Sequence, residues 1–274
     1  MHQLNFEIKG KPDKVILIHA PCRSGTSALL NAFAMDDIQS VYQPIKVALH
    51  RMLSGDSDPV IITIRTPTIV IKETLGPYVP EEVSFDPISV LLSRGIDPSI
   101  LHVIALFRRP EECLLSWKSF FRANDIDYSL FGVSYEAVYD DCVRAQKRGV
   151  HIVPLRYEQL AEPGAFHDLI SKLEIPFNPA MLKWSLSKKY RPGRFSFQDI
   201  PQPKLYTHSL PSAEESNEFA VRIPVPGSEY VPDSIIANAA RLESARAIYA
   251  TVVEDLSADR IVEQVDFRPL GLPR

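Results

Sequence analysis

Lys14-Val15-Ile16-Leu17-Ile18-His19-Ala20-Pro21-Cys22-Arg23-Ser24-Gly25-Thr26-Ser27 is the stretch on which the rest of the chain is read. An apolar strand, Val15–His19, runs into a short loop, and the loop opens a helix predicted over Ala28–Met35. Strand, glycine-containing loop and helix N-terminus make a phosphate cradle. Backbone N–H groups point at the ligand, and the helix dipole favours its negative charge. In nucleotide triphosphatases a Lys follows the second Gly of this loop, and a hydroxyl holds Mg²⁺. Here Thr26 follows Gly25, and the cation stands earlier, at Arg23. That order suits a nucleotide phosphate handled without a metal.

Outward from the loop, strand and helix patterns alternate. Pro44 breaks the chain ahead of a helix around Ile45–Leu53. The β-branched runs Ile61–Arg65 and Thr68–Lys72, split by Pro67, read as one or two strands. Helices are predicted over Pro87–Arg94, Glu111–Ala123, Tyr135–Arg148, Phe166–Leu173 and Asp233–Leu256. Leu101–Phe107 is a continuous apolar run, the mark of a central strand buried on both faces, and Val150–Leu155 is a further strand. Alternation of this kind implies an α/β fold, one three-layer domain over residues 1–274 with a mainly parallel sheet between helices. Ligands of such sheets bind beyond the C-terminal strand ends. Three polar sites fall there: the Arg23 loop, Lys72-Glu73 and Arg108-Arg109-Pro110. From Pro176 to Pro232 the chain is Pro-rich and irregular, as expected of a segment covering a binding site.

The composition narrows the partners. Hydrophobic residues at 45% and charged residues at 23% are ordinary for a globular chain of 274 residues. A formal charge of -4 gives no support for a nucleic-acid partner. Cys22, Cys113 and Cys142 are an odd count without metal-ligand spacing, which reads as reduced thiols. Residues 1–14 do not resemble a signal peptide, and no apolar run reaches the roughly 18 residues of a membrane span. A cytoplasmic location is the expectation.

A second anion grip follows the Leu101–Phe107 run. Arg108 stands at the strand end and Ser116 two turns into the next helix. A planar Arg fork and a hydroxyl can hold one phosphate between them. Two separate grips suggest a nucleotide phosphorylated at both its 5′ and 3′ positions.

These paired loops resemble those of the 3′-phosphoadenylylsulfate (PAPS)-dependent sulfotransferases. The family's 5′-phosphosulfate loop, P-x-[RK]-S-G-[TS]-[TS], is matched by Pro21 through Ser27. Its 3′-phosphate signature, R-x-P followed later by Ser, is matched by Arg108, Pro110 and Ser116, and its Tyr-Glu-x-Leu segment by Tyr157-Glu158-Gln159-Leu160. The resemblance implies a P-loop-like sulfotransferase fold. It also implies transfer of a sulfuryl group from PAPS, leaving adenosine 3′,5′-bisphosphate (PAP), to a hydroxyl of a small-molecule acceptor without a metal. Arg23, Ser24, Gly25, Thr26 and Ser27 would hold the 5′-phosphate, Arg108 and Ser116 the 3′-phosphate, and Tyr157 would lie near the adenine. Arg191, Gly193 and Arg194 match part of a late segment that touches the 3′-phosphate.

The chain departs from the family in two places. Ala28 stands where many members carry a Trp, and Lys72-Glu73-Thr74 where many carry K-T-H with His as base. Glu73 becomes the candidate base, with Lys72 and Arg23 meeting charge on the bridging oxygen. His50 is the rival base, and Lys72-Glu73 also reads as a solvated pair. Trp117, Phe120 and Phe121, at helical spacing, read as core, and Phe195, Phe197, Tyr206 and Phe219 as walls for an acceptor. Loss of the family's His and Trp also fits a nucleotide-binding relative without transfer activity. A P-loop kinase is disfavoured by the missing Lys after Gly25. Oligomeric state is not legible.

Overall fold

The computed structural model describes residues 4–34, 38–120, 126–162, 164–182 and 241–257. Five strands form a fully parallel sheet in the order β3 (Gln39–Tyr42), β5 (Thr68–Leu75), β2 (Lys14–Pro21), β6 (Leu101–Phe107), β7 (His151–Arg156). Two further strands, β1 (Phe6–Lys9) and β4 (Val60–Thr63), pair in parallel as a separate ribbon. Neither β1 nor β3 stands out in the sequence: each is four residues long and exists by its pairing.

Strand alternation divides the core in two. Val15 and Leu17 of β2, Ile69 and Ile71 of β5 and Val103 of β6 face one buried cluster. That layer holds α2 (Pro44–Leu53), α3 (Glu81–Ser84), α4 (Pro87–Ser93), α5 (Pro110–Phe120), α6 (Leu130–Gln146) and α8 (Leu242–Ser257). Ile16, Ile18, Val70, Ile104 and Leu106 point the other way, onto α1 (Thr26–Ala34) and α7 (Ala165–Lys172). Burial of every residue of β6 matches its unbroken apolar run. Helix, sheet, helix is the three-layer α/β arrangement that the alternation implies. Among the described residues, no helix is long and apolar enough to cross a membrane.

One boundary changes the reading of the site. β5 continues past Lys72 to Leu75, because its pairing with β2 runs as far as Pro21↔Leu75. Lys72 and Glu73 therefore lie within a strand and obey its alternation: Lys72 and Thr74 share one face with Val70, and Glu73 takes the other with Ile71. Helix α6 begins at Leu130 rather than Tyr135. Residues 233–240 of the expected last helix lie outside the described residues. So do Arg191, Gly193 and Arg194, the four aromatic wall candidates, and most of the 176–232 segment.

Candidate functional site

The loop after β2 sits at the centre of the sheet, where the order steps to β5 on one side and β6 on the other. This is the switch point at which parallel sheets open a crevice beyond their strand ends. Backbone and side chains from both neighbours fix the loop. The Cys22 N–H donates to Leu75 O at 3.0 Å. The Cys22 carbonyl accepts from Trp117 Nε1 at 2.8 Å and from Cys113 Sγ at 3.1 Å. Trp117 is thus core, as expected, and also a strut for the loop.

Two residues in the loop adopt positive φ, Arg23 at 72° and Gly25 at 89°. At Gly25 the reason is contact as well as conformation. A Cβ built there would meet the Tyr157 ring at 2.3 Å, so only glycine lets the ring lie on the loop. Ser24 is fully buried at the turn of the loop into α1, within reach of the Cys113 thiol. A hydroxyl at a helix N-terminus is a donor of the kind a phosphate oxygen accepts from.

The two expected phosphate grips are brought together. Arg23 Nε donates to Ser116 Oγ at 3.1 Å, and its guanidinium lies 3.8 Å from the Phe120 ring centroid. Arg108 reaches back to Arg23 O at 3.5 Å, and its guanidinium lies 5.1 Å from the Tyr157 ring centroid. Tyr157 is 6% exposed and opens the turn after β7. Arg108 also pairs with Glu112 one turn on, at 3.4 Å, and the Tyr135 hydroxyl donates to its carbonyl at 2.7 Å. Contacts at the ends of β2, β6 and β7 thus bring Arg23, Arg108, Ser116 and Tyr157 together around the loop.

Lys72 joins this group from β5. Its Nζ lies 3.3 Å from Ser27 Oγ, 3.2 Å from Gln43 Oε1 and 3.8 Å from the Tyr42 ring centroid. Thr74, on the same face, donates to the same Gln43 oxygen at 2.5 Å.

Glu73 does not join it. Its carboxylate is fully buried beneath the start of α2, where Oε1 accepts from Ile45 N at 2.6 Å and Oε2 from Lys46 N at 3.3 Å. The expectation of a base beside Lys72 took the pair as neighbours, and the continuing strand turns them to opposite sides of the sheet. Burial pushes the Glu73 carboxyl up to about 8, against the lowering effects of the Ile45 N–H, the Lys46 charge and N–H, and Lys72. The rival base, His50, pairs with Glu82 at 2.7 Å, beside the buried Lys46–Glu82 pair at 3.3 Å on the α2 side. Both groups have their partners on the α2 side of the sheet.

Sequence reasoning missed Gln43, Tyr42 and Glu112. Glu112 was visible as an acidic residue four after Arg108, the helical spacing of an ion pair. Gln43 left a weaker sign, a polar residue at a strand end ahead of a helix-opening Pro. It missed as well a buried pair behind the loop: His19 Nε2 meets Asp141 at 2.9 Å, with His19 in register with Glu73.

No protein-family model and no curated protein matches the sequence. Solved structures that it resembles include sulfotransferases and a retinol dehydratase. A sulfotransferase domain from the curacin biosynthetic pathway is 15% identical, with a TM-score of 0.49, covering 89% of this chain and 98% of its own. A mouse sulfotransferase in complex with PAP gives 16%, 0.47, 91% and 89%. Retinol dehydratase in a complex with retinol and PAP gives 12%, 0.43, 93% and 84%.

Proposed function

We propose that the chain binds a nucleotide phosphorylated at its 5′ and 3′ positions, and that it is a PAPS-dependent sulfotransferase. The convergence of two anion grips carries the reading: the Arg23–Gly25 loop and Arg108, in contact at 3.5 Å. The residues present suit such a ligand. The buried Ser24 hydroxyl and the helix N-terminus behind it offer donors for a 5′-phosphate. Arg108 and Ser116 offer a fork and a hydroxyl for a 3′-phosphate. Tyr157, packed on Gly25, offers an aromatic face for a base.

Bound PAPS would supply the sulfuryl group. The protein's part is positioning and charge: Arg23 and Lys72 bring two cations to the loop, where negative charge on the bridging oxygen would be met. Glu73 enters this reading as a candidate base only if its carboxyl leaves the α2 N-terminus. Its confinement there favours the second reading, a nucleotide-binding protein without transfer activity. Segment 176–232 is proposed to wall the site for a small hydroxyl-bearing acceptor.

Calorimetric titration separates these from an unspecific anion loop. PAP should bind at least about tenfold more tightly than AMP, a difference of about 1.4 kcal/mol for one charge-assisted grip. Arg108→Ala should erase that preference while leaving AMP affinity nearly unchanged. Equal binding of PAP and AMP by the unaltered chain would sink the two-phosphate reading.

A further inference from the structure

Gln43 is 2% exposed and stands between the end of β3 and the start of α2. Its backbone is left-handed, φ 49° and ψ 44°, although it is neither Gly nor Asn and is followed by Pro44. Both circumstances disfavour that conformation. The surroundings enforce it. The Gln43 N–H donates to Lys72 O at 2.8 Å, and its carbonyl accepts from Val47 N at 3.0 Å. Glu73 clamps the next two N–H groups of the same helix start.

This strain aims one carboxamide. Lys72 has only protons to give, so the Gln43 amide oxygen must face it, and the Thr74 hydroxyl shares that oxygen. The NH₂ group is thereby turned the other way. It is buried, and among the described residues it has no partner. A donor left bare inside a protein costs free energy unless something outside the chain accepts from it. Lys72, held by Gln43, lies 3.3 Å from Ser27, on the first turn of the helix whose N-terminus forms the phosphate cradle.

We infer that Gln43 positions Lys72 through its amide oxygen and donates through its NH₂ to an oxygen of the donor's sulfuryl group. This inference rests on the PAPS reading above and adds the residue that would tell PAPS from PAP. The two differ only by the group at the far end of the 5′-phosphate, beyond the loop. Glu73 then has a purpose apart from proton transfer: it anchors the helix start that aims Gln43.

Calorimetry with PAPS and PAP on the unaltered chain, Gln43→Glu and Gln43→Asn tests it. Glu keeps an oxygen for Lys72 and Thr74 but sets negative charge where the NH₂ was. Asn suits the left-handed backbone and is one methylene short. In both variants PAPS should weaken about tenfold or more, the loss of a hydrogen bond to an anion, while PAP stays within about threefold. A residue that only shaped the fold would weaken both ligands together. An unchanged ratio of PAPS to PAP affinity in both variants overturns the inference alone, and so does an equal loss of both ligands. Failure of the unaltered chain to prefer PAP over AMP overturns the underlying reading and this inference with it.

Discussion

At Gly25 one missing Cβ decides both the loop's shape and its lid. The φ of 89° excludes ordinary side chains, and the Tyr157 ring occupies the space a methyl group would need, at 2.3 Å. Gly25→Ala therefore meets two obstacles, strain in the loop and collision with the ring. The expected cost is on the order of 1–3 kcal/mol, a fall of roughly 2–12 °C in melting temperature at this size. PAP affinity should fall with it, since the ring and the Arg108 guanidinium 5.1 Å from it move together. Gly25→Ala combined with Tyr157→Ala separates the two obstacles. Relief of the collision should recover part of the stability but little of the binding. Wild-type melting in the single Gly25→Ala variant would mean the loop relaxes freely and the packing of Tyr157 is dispensable.

The pair β5 and α2 act as one unit, and Glu73 is their joint. Its carboxylate sits where a helix N-terminus favours negative charge, yet burial drives the carboxyl from an ordinary 4.5 to about 8. The direction fixes the pH response. Between those two values the folded chain holds a proton that the unfolded chain has released, so stability falls as pH rises. The contribution is fully present below 4.5 and is lost as pH passes through about 8. Denaturant midpoints measured from pH 5 to 9 should therefore decline for the unaltered chain and decline less for Glu73→Gln, which cannot titrate. Parallel slopes would show that Glu73 is ionised throughout. The same joint explains why this element misled sequence reading. Lys72-Glu73-Thr74 looks like a strand end in sequence, because nothing in one chain segment reports how far its partner extends. The partner β2 carries the pairing to Leu75, and one extra turn of alternation separates Lys72 from Glu73.

At the scale of the molecule, local patterns carried the architecture and long-range ones did not. The unbroken apolar run of β6 and the strand–loop–helix at Lys14–Ser27 are periodic signals confined to one segment, and both elements lie where those signals put them. That Arg23, Arg108 and Ser116 would stand near one another was expected from their offsets to such elements, whereas Tyr157 was named through the family resemblance alone. Gln43 and Glu112 act through partners brought near by folding, and the Trp117–Cys22 strut spans 95 residues. The candidate site itself joins two such units: the β2–α1 loop and the β6–α5 loop touch through Arg108 to Arg23 O and Arg23 to Ser116. A ligand with phosphates in both grips should bind the folded chain alone and tie the sheet's central strands together. At about 100 times its dissociation constant, such a ligand adds roughly 2.7 kcal/mol, or about 5–11 °C in melting temperature for a chain of this size. PAP should produce that rise, AMP at equal concentration a smaller one, and PAP with Arg108→Ala no more than AMP does. Thermal melts that rise equally with PAP and AMP would mean that only the β2–α1 loop holds phosphate. The two loops would then meet for packing, and the β6–α5 turn would have no ligand of its own.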